Sequence, residues 1–200
     1  MVEKLSLAKD CTFVCITEEM DTHKFSCGDA NLDEFFHNEA VLYTRQLLGK
    51  TYAFVANEPP HRIVAMVTLA NDSIKAALIS NTSRNRIQRK IPNSKRTRSY
   101  PAVLIGRFGV AVGFQGTGNS IGTQVIDYIA SWFVHPSNKT GCRFMVVDAY
   151  NTPQVCHFYE KNGFKYLYQS EELEKEANHI PMEEPLDSRM MYLDLLGYVG

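Results

Sequence analysis

Pro101-Ala-Val-Leu-Ile-Gly-Arg-Phe-Gly-Val-Ala-Val-Gly-Phe-Gln-Gly-Thr-Gly-Asn-Ser-Ile-Gly-Thr-Gln-Val-Ile-Asp-Tyr-Ile129 reads as a buried strand, a glycine-rich loop and an amphipathic helix in immediate succession. Gly116, Gly118 and Gly122 permit backbone conformations and close approaches that a Cβ would obstruct. A helix beginning near Ile121 turns its unpaired N–H groups and positive dipole end toward that loop, which is the design of an anion cradle. Two familiar versions of the cradle are excluded. No Gly-Lys-Ser/Thr is present, so a P-loop is ruled out, and no Gly-x-Gly-x-x-Gly is followed by the acid of a dinucleotide fold.

Outward from this stretch, periodicity places the other elements. Thr12 to Thr17 reads as a first strand. Asp29 or Asn31 caps a helix reaching about Gln46, with Leu32, Phe35, Phe36, Ala40 and Tyr43 at helical spacing. Thr51 to Ala56 and Ile63 to Ala70 read as a hairpin around Asn57-Glu-Pro-Pro60. Between Ser73 and Tyr100 the pattern weakens to a helical piece and a basic loop. Strands over Ala102 to Val112 and Phe144 to Ala149 flank a helix over Ile121 to Phe133. Thr152 with Pro153 starts another helix that Gly163 ends, and Phe164 to Tyr168 and Ser188 to Leu193 close the sheet. The order predicts an α/β fold in one domain over residues 1–200.

Composition narrows the classes. No apolar run nears the roughly 20 residues of a membrane span, and the first residues, with Glu3, Lys4, Lys9 and Asp10, lack an apolar export signal. A cytoplasmic location is the expectation. Cys11, Cys15, Cys27, Cys142 and Cys156 are odd in number and without a Cys-x-x-Cys pair, against a disulfide framework or a zinc site. The net charge of −1 conceals asymmetry: no acid lies between Asp72 and Asp127, a span that holds Lys75, Arg84, Arg86, Arg89, Lys90, Lys95, Arg96, Arg98 and Arg107.

Gln115-x-x-Gly118 resembles the acetyl-CoA loop of the GNAT N-acetyltransferase superfamily, and Asn151-Thr-Pro-Gln-Val-Cys-His-Phe-Tyr-Glu-Lys-Asn-Gly-Phe164 resembles that superfamily's later motif. The resemblance spans roughly residues 10 to 195. It implies the GNAT fold, a central mixed, mostly antiparallel sheet with a V-shaped splay and helices on both faces. It further implies that pantetheine of acetyl-CoA pairs with backbone at Phe108, Gly109, Val110, Ala111 and Val112. The pyrophosphate would lie on Gln115, Gly116, Thr117, Gly118, Asn119, Ser120, Ile121, Gly122 and Thr123, and Asn151 would touch the cofactor. The Val110 N–H would polarise the thioester, and Tyr159, also at the cofactor, would protonate the departing thiolate. Asn119-Ser120 departs from the family loop, either as a substitution or as a two-residue insertion.

Phe25-Ser-Cys-Gly-Asp-Ala-Asn-Leu-Asp-Glu-Phe-Phe36 and Val103-Leu-Ile-Gly-Arg-Phe-Gly-Val110 resemble segments of acetyltransferase toxins that acetylate the α-amine of aminoacyl-tRNA. That likeness implies an aminoacyl-tRNA acceptor, phosphate contacts from Arg84, Arg86, Arg89 and Lys90, an antitoxin-like protein partner, and a homodimer. The strand Pro101 to Val112 offers no carboxylate, and His23, His37, His61, His135, His157 and His179 follow no ligand or triad spacing. No general base is therefore assigned. The absence suits an α-amine, whose pKa near 8 lies well below the ~10.4 of lysine. A protein N-terminus or lysine, a small amine, and a non-catalytic acyl-CoA- or partner-binding module stay open as alternatives.

Overall fold

The computed structural model describes residues 5–75, 77, 78, 81, 85 and 99–199. The strands are β1 (Cys11–Cys15), β2 (Lys50–Ala56), β3 (Ile63–Lys75), β4 (Ser99–Val110), β5 (Phe144–Tyr150), β6 (Lys165–Tyr166) and β7 (Ser188–Asp194). They form one sheet in the order β1-β2-β3-β4-β5-β7-β6. Pairing is antiparallel for β1 with β2, β2 with β3, β5 with β7 and β6 with β7. The helices are α1 (Leu7–Asp10), α2 (Ala30–Glu34), α3 (Ala40–Arg45), α4 (Ile121–Val134), α5 (Pro153–Lys161) and α6 (Glu171–Asn178), with a π-helical turn, Phe35–Glu39, joining α2 to α3. By contacts the chain divides into two compact units, residues 1–70 with 105–132 and residues 71–104 with 133–200.

In the first unit, strand alternation decides which helix covers which face. Phe13, Tyr52 and Phe54 point one way and meet Tyr128 and Trp132 of α4, with Phe13 stacked on Tyr52 at 4.8 Å and tilted against Tyr128 at 4.9 Å. Their neighbours Ala53 and Met66 point the other way and bury Phe25, Phe35, Phe36 and Ala40 around α2, the π turn and α3. The hairpin appears as read, with a register shift between Phe54 and Val55. Asp29 is the cap of α2, accepting from the amides of Asn31 and Leu32.

The second unit packs Ile74, Tyr100, Ala102, Phe144, Val146, Leu167, Tyr168 and Tyr192 as its core. Thr152 caps α5, Pro153 occupies its first turn, and Gly163 at φ +84° turns the chain out of it. Several boundaries differ from the reading. Ile63 to Ala70 extends to Lys75, so Ser73 to Lys75 are strand. The strand predicted to Val112 stops at Val110, because Val112–Phe114 winds into a 3₁₀ turn. Phe164 to Tyr168 contracts to a two-residue strand, and α6 follows it. Arg84, Arg86, Arg89 and Lys90 lie outside the described residues.

Candidate functional site

Within the first unit, the glycine-rich loop is built by alternating backbone handedness. Gly116, Gly118 and Ser120 have φ of +64°, +76° and +51°, while Thr117 and Asn119 between them do not enter positive φ. Alternation of this kind makes a concave run of amides, a nest that favours anions. A Cβ placed on Gly113, Gly116 or Gly118 would meet nothing within 4 Å, so the glycines border open space. Helix α4 follows directly. Its first intrahelical bond runs from the Gln124 N–H to the Ser120 carbonyl at 3.0 Å, so the amides of Ile121, Gly122 and Thr123 precede the ladder. No acid stands in its first turn to compete for that dipole.

Asn119-Ser120 is accommodated rather than disruptive. The Asn119 side chain donates to Thr117 Oγ1 at 3.0 Å, and the Asn119 carbonyl accepts from Gln124 Nε2 at 2.7 Å. Gln124 also donates to the Leu5 carbonyl and accepts from the Leu7 amide, tying the start of the chain to the loop. Sequence reasoning passed over Gln124 because a polar residue in a helix's first turn has many ordinary uses.

At the end of β4 the backbone has defined partners. The Ala111 N–H donates to Val64 of β3 at 2.9 Å, and the Val112 N–H donates to the Ser26 carbonyl at 2.9 Å. Gln115 Nε2 donates to two carbonyls, Cys27 at 2.8 Å and Val110 at 2.7 Å. Segment Phe25–Gly28 therefore lies as a strap along the last residues of β4. Asp33 holds the strap from the helix side, accepting from Ser26 Oγ at 2.6 Å and the Cys27 amide at 2.8 Å, and His37 Nε2 lies 2.7 Å from the Phe25 carbonyl. Although burial pulls the Asp33 carboxyl up, the Ser26 hydroxyl and Cys27 amide hold it below the usual carboxylate value. The close approach explains Gly109: a Cβ there would come within 2.9 Å of Cys27 Cβ and 3.3 Å of Phe36. Burial pushes the Cys27 thiol up to about 11, so it packs rather than reacts.

In the second unit, Asn151 donates its side-chain amide to the Leu186 carbonyl at 2.8 Å and to Glu171 at 3.1 Å, which fixes its orientation. Behind it Arg189 pairs with the buried Glu174 at 2.7 Å and reaches Glu171 at 3.4 Å, a network with no local pattern in the sequence. Tyr159 is 6% exposed, its ring edge-on to Phe158 and Phe164 at 5.1 Å each. Burial pushes the phenol far above its ordinary value, so the group keeps its proton throughout the neutral range.

Two groupings were not foreseen. His23 and His37, separated in sequence, bring their rings to 5.1 Å. Asp148 keeps an exposed edge, yet desolvation of its carboxyl, followed by the charge of Asp72, pushes its pKa up. Among the described residues no group of three or more His, Cys, Asp or Glu is placed to hold a metal, and no helix is long and apolar enough to cross a membrane.

No protein-family model and no curated protein matches the chain. Solved structures do. The chain is similar to AtaT complexed with acetyl-methionyl-tRNAfMet, at 19% identity and a TM-score of 0.64 over 94% of this chain and 96% of that one. A tyrosine-to-phenylalanine mutant of KacT superposes with a TM-score of 0.66 at 17% identity over 95% and 98% of the two chains. An AtaT toxin mutant bound to acetyl-CoA and the C-terminus of the antitoxin AtaR gives 0.59 at 16% over 94% and 96%. The chain has the fold of these toxins, the GNAT fold expected from its motifs.

Proposed function

We propose that the chain is an acetyl-CoA-dependent N-acetyltransferase whose acceptor is the α-amine of aminoacyl-tRNA. The observation that carries the reading is the nest of Gly116, Gly118 and Ser120 running into an acid-free helix start. This is open concave backbone of the kind a pyrophosphate needs. Solved neighbours of the same fold hold acetyl-CoA, an acetylated aminoacyl-tRNA and an antitoxin peptide. An antitoxin-like partner belongs to the same proposal.

Bound acetyl-CoA supplies an activated acyl carbon. The loop amides from Gly116 to Thr123 hold its phosphates, and Val110 donates its N–H to the carbonyl oxygen as the amine nitrogen attacks and negative charge grows there. On loss of the carbon–sulfur bond, Tyr159 would be the residue to give its hydroxyl proton to the sulfur, and its phenolate would take back the proton that the acylated nitrogen sheds. The cycle balances without a separate general base. An acceptor that is already neutral in good part at pH 7, as an α-amine is, suits that economy.

Calorimetric titration with acetyl-CoA tests the cofactor site. Gly118→Asp and Gly118→Asn are near-isosteric, and both residue types tolerate φ of +76°. Only the first adds negative charge. Affinity should fall at least 10-fold for Gly118→Asp, about 1.4 kcal/mol, and far less for Gly118→Asn. Equal losses in the two variants would show that the phosphates sit elsewhere.

A further inference from the structure

We infer that Gln115 is a positioning residue for the Val110 amide rather than a contact to the cofactor. This rests on the acetyltransferase reading and deepens it. Successive peptide groups of a strand point to opposite edges. Because the Ala111 N–H reaches β3 through the Val64 carbonyl, the N–H and C=O of Val110 lie on the edge away from β3. The partners found on that edge agree. The Val110 carbonyl accepts from Gln115, and the next amide on the same edge, Val112, donates to Ser26.

The carboxamide of Gln115 therefore uses both hydrogens of Nε2 on carbonyls, Val110 at 2.7 Å and Cys27 at 2.8 Å. It clips the strap to the strand at the residue whose N–H is assigned to the thioester carbonyl. The strap cannot shift inward, since Cys27 already rests where a Cβ of Gly109 would stand. It cannot swing away without breaking the bonds from Asp33 and Val112. The clip holds the peptide group that follows Val110, and through it the backbone torsion that sets where the Val110 N–H, on the preceding peptide group, points along the same edge. An oxyanion donor is effective only when it is oriented before charge develops, and a small misplacement of such a group costs much of the rate.

The test compares wild type with Gln115→Met, which removes both donors, and Gln115→Glu, which presents acceptors in their place. Gln115 is exposed, so both variants keep the core intact. Acetyl-CoA affinity is read by calorimetry, kcat by release of free CoA, and carbonyl polarisation by the infrared stretch of bound acetyl-CoA carrying a ¹³C carbonyl. Wild type is expected to shift that stretch to lower frequency than in water. In the variants kcat should fall about 10- to 100-fold, the stretch should return toward its value in water, and affinity should stay within about 3-fold. Weakened affinity with kcat and the stretch intact would make Gln115 a cofactor contact. Unchanged kcat and stretch would likewise overturn the inference, while the cofactor reading would survive either result. Failure of wild type to bind acetyl-CoA would overturn both.

Discussion

Tyr159 illustrates how one side chain carries two readings. Its ring is core, edge-on to Phe158 and Phe164, while its hydroxyl is the proton donor of the proposed chemistry. Desolvation pushes the buried phenol above its ordinary value, so it is protonated throughout the neutral range. Tyr159→Phe keeps the packing and removes the proton, so kcat should drop by about 10² or more with acetyl-CoA affinity unchanged. Wild-type activity should show no loss from tyrosine ionisation up to about pH 10. A folded Tyr159→Phe enzyme with wild-type kcat would return the residue to a purely structural role.

At the level of elements, the strap and α2 are joined by one carboxylate. Asp33 accepts from Ser26 Oγ and the Cys27 amide, so Asp33→Asn should cost about 1–2 kcal/mol and lower Tm by several degrees. The pH dependence follows from the sign of the shift. A carboxyl held below its unfolded value contributes stability that is fully present above about pH 4 and lost as pH falls through the depressed value. Thermal melts should therefore show a constant gap between wild type and Asp33→Asn from about pH 5 to 8, closing in stronger acid. A gap that persists undiminished at pH 2.5 would assign the loss to packing. Elements of this kind were legible in part. Periodicity and capping gave β1 to β5, α2, α4 and α5, since Asp29, Thr152, Pro153 and Gly163 act within a few residues of themselves. The strap's attachment to β4 was not legible. Ser26 meets Val112, and Cys27 meets Gly109 and Gln115, across long stretches of chain. Only the small residue at 109 left a trace of that contact in the sequence.

For the molecule as a whole, the sheet order β1-β2-β3-β4-β5-β7-β6 belongs to a chain that shares the fold of AtaT, itself solved with acetyl-methionyl-tRNAfMet, and the charge pattern bears on the proposed acceptor. The span from Asp72 to Asp127 lacks acids while carrying Arg84, Arg86, Arg89 and Lys90, a composition suited to phosphate. The loop geometry was legible to the extent that glycine spacing reports positive φ. The hydrogen-bond partners of Gln115, Gln124 and Arg189 were hidden, since only folding brings them near. The most direct test is transfer of labelled acetyl from acetyl-CoA to aminoacyl-tRNA, with deacylated tRNA and free amino acids in parallel. The account predicts label on the α-amine of the charged tRNA alone, at a rate that falls steeply with salt, by about 0.7 to 0.9 in log affinity per log salt for each phosphate neutralised. Label on a small amine or a peptide but on no charged tRNA, with acetyl-CoA bound, would contradict it.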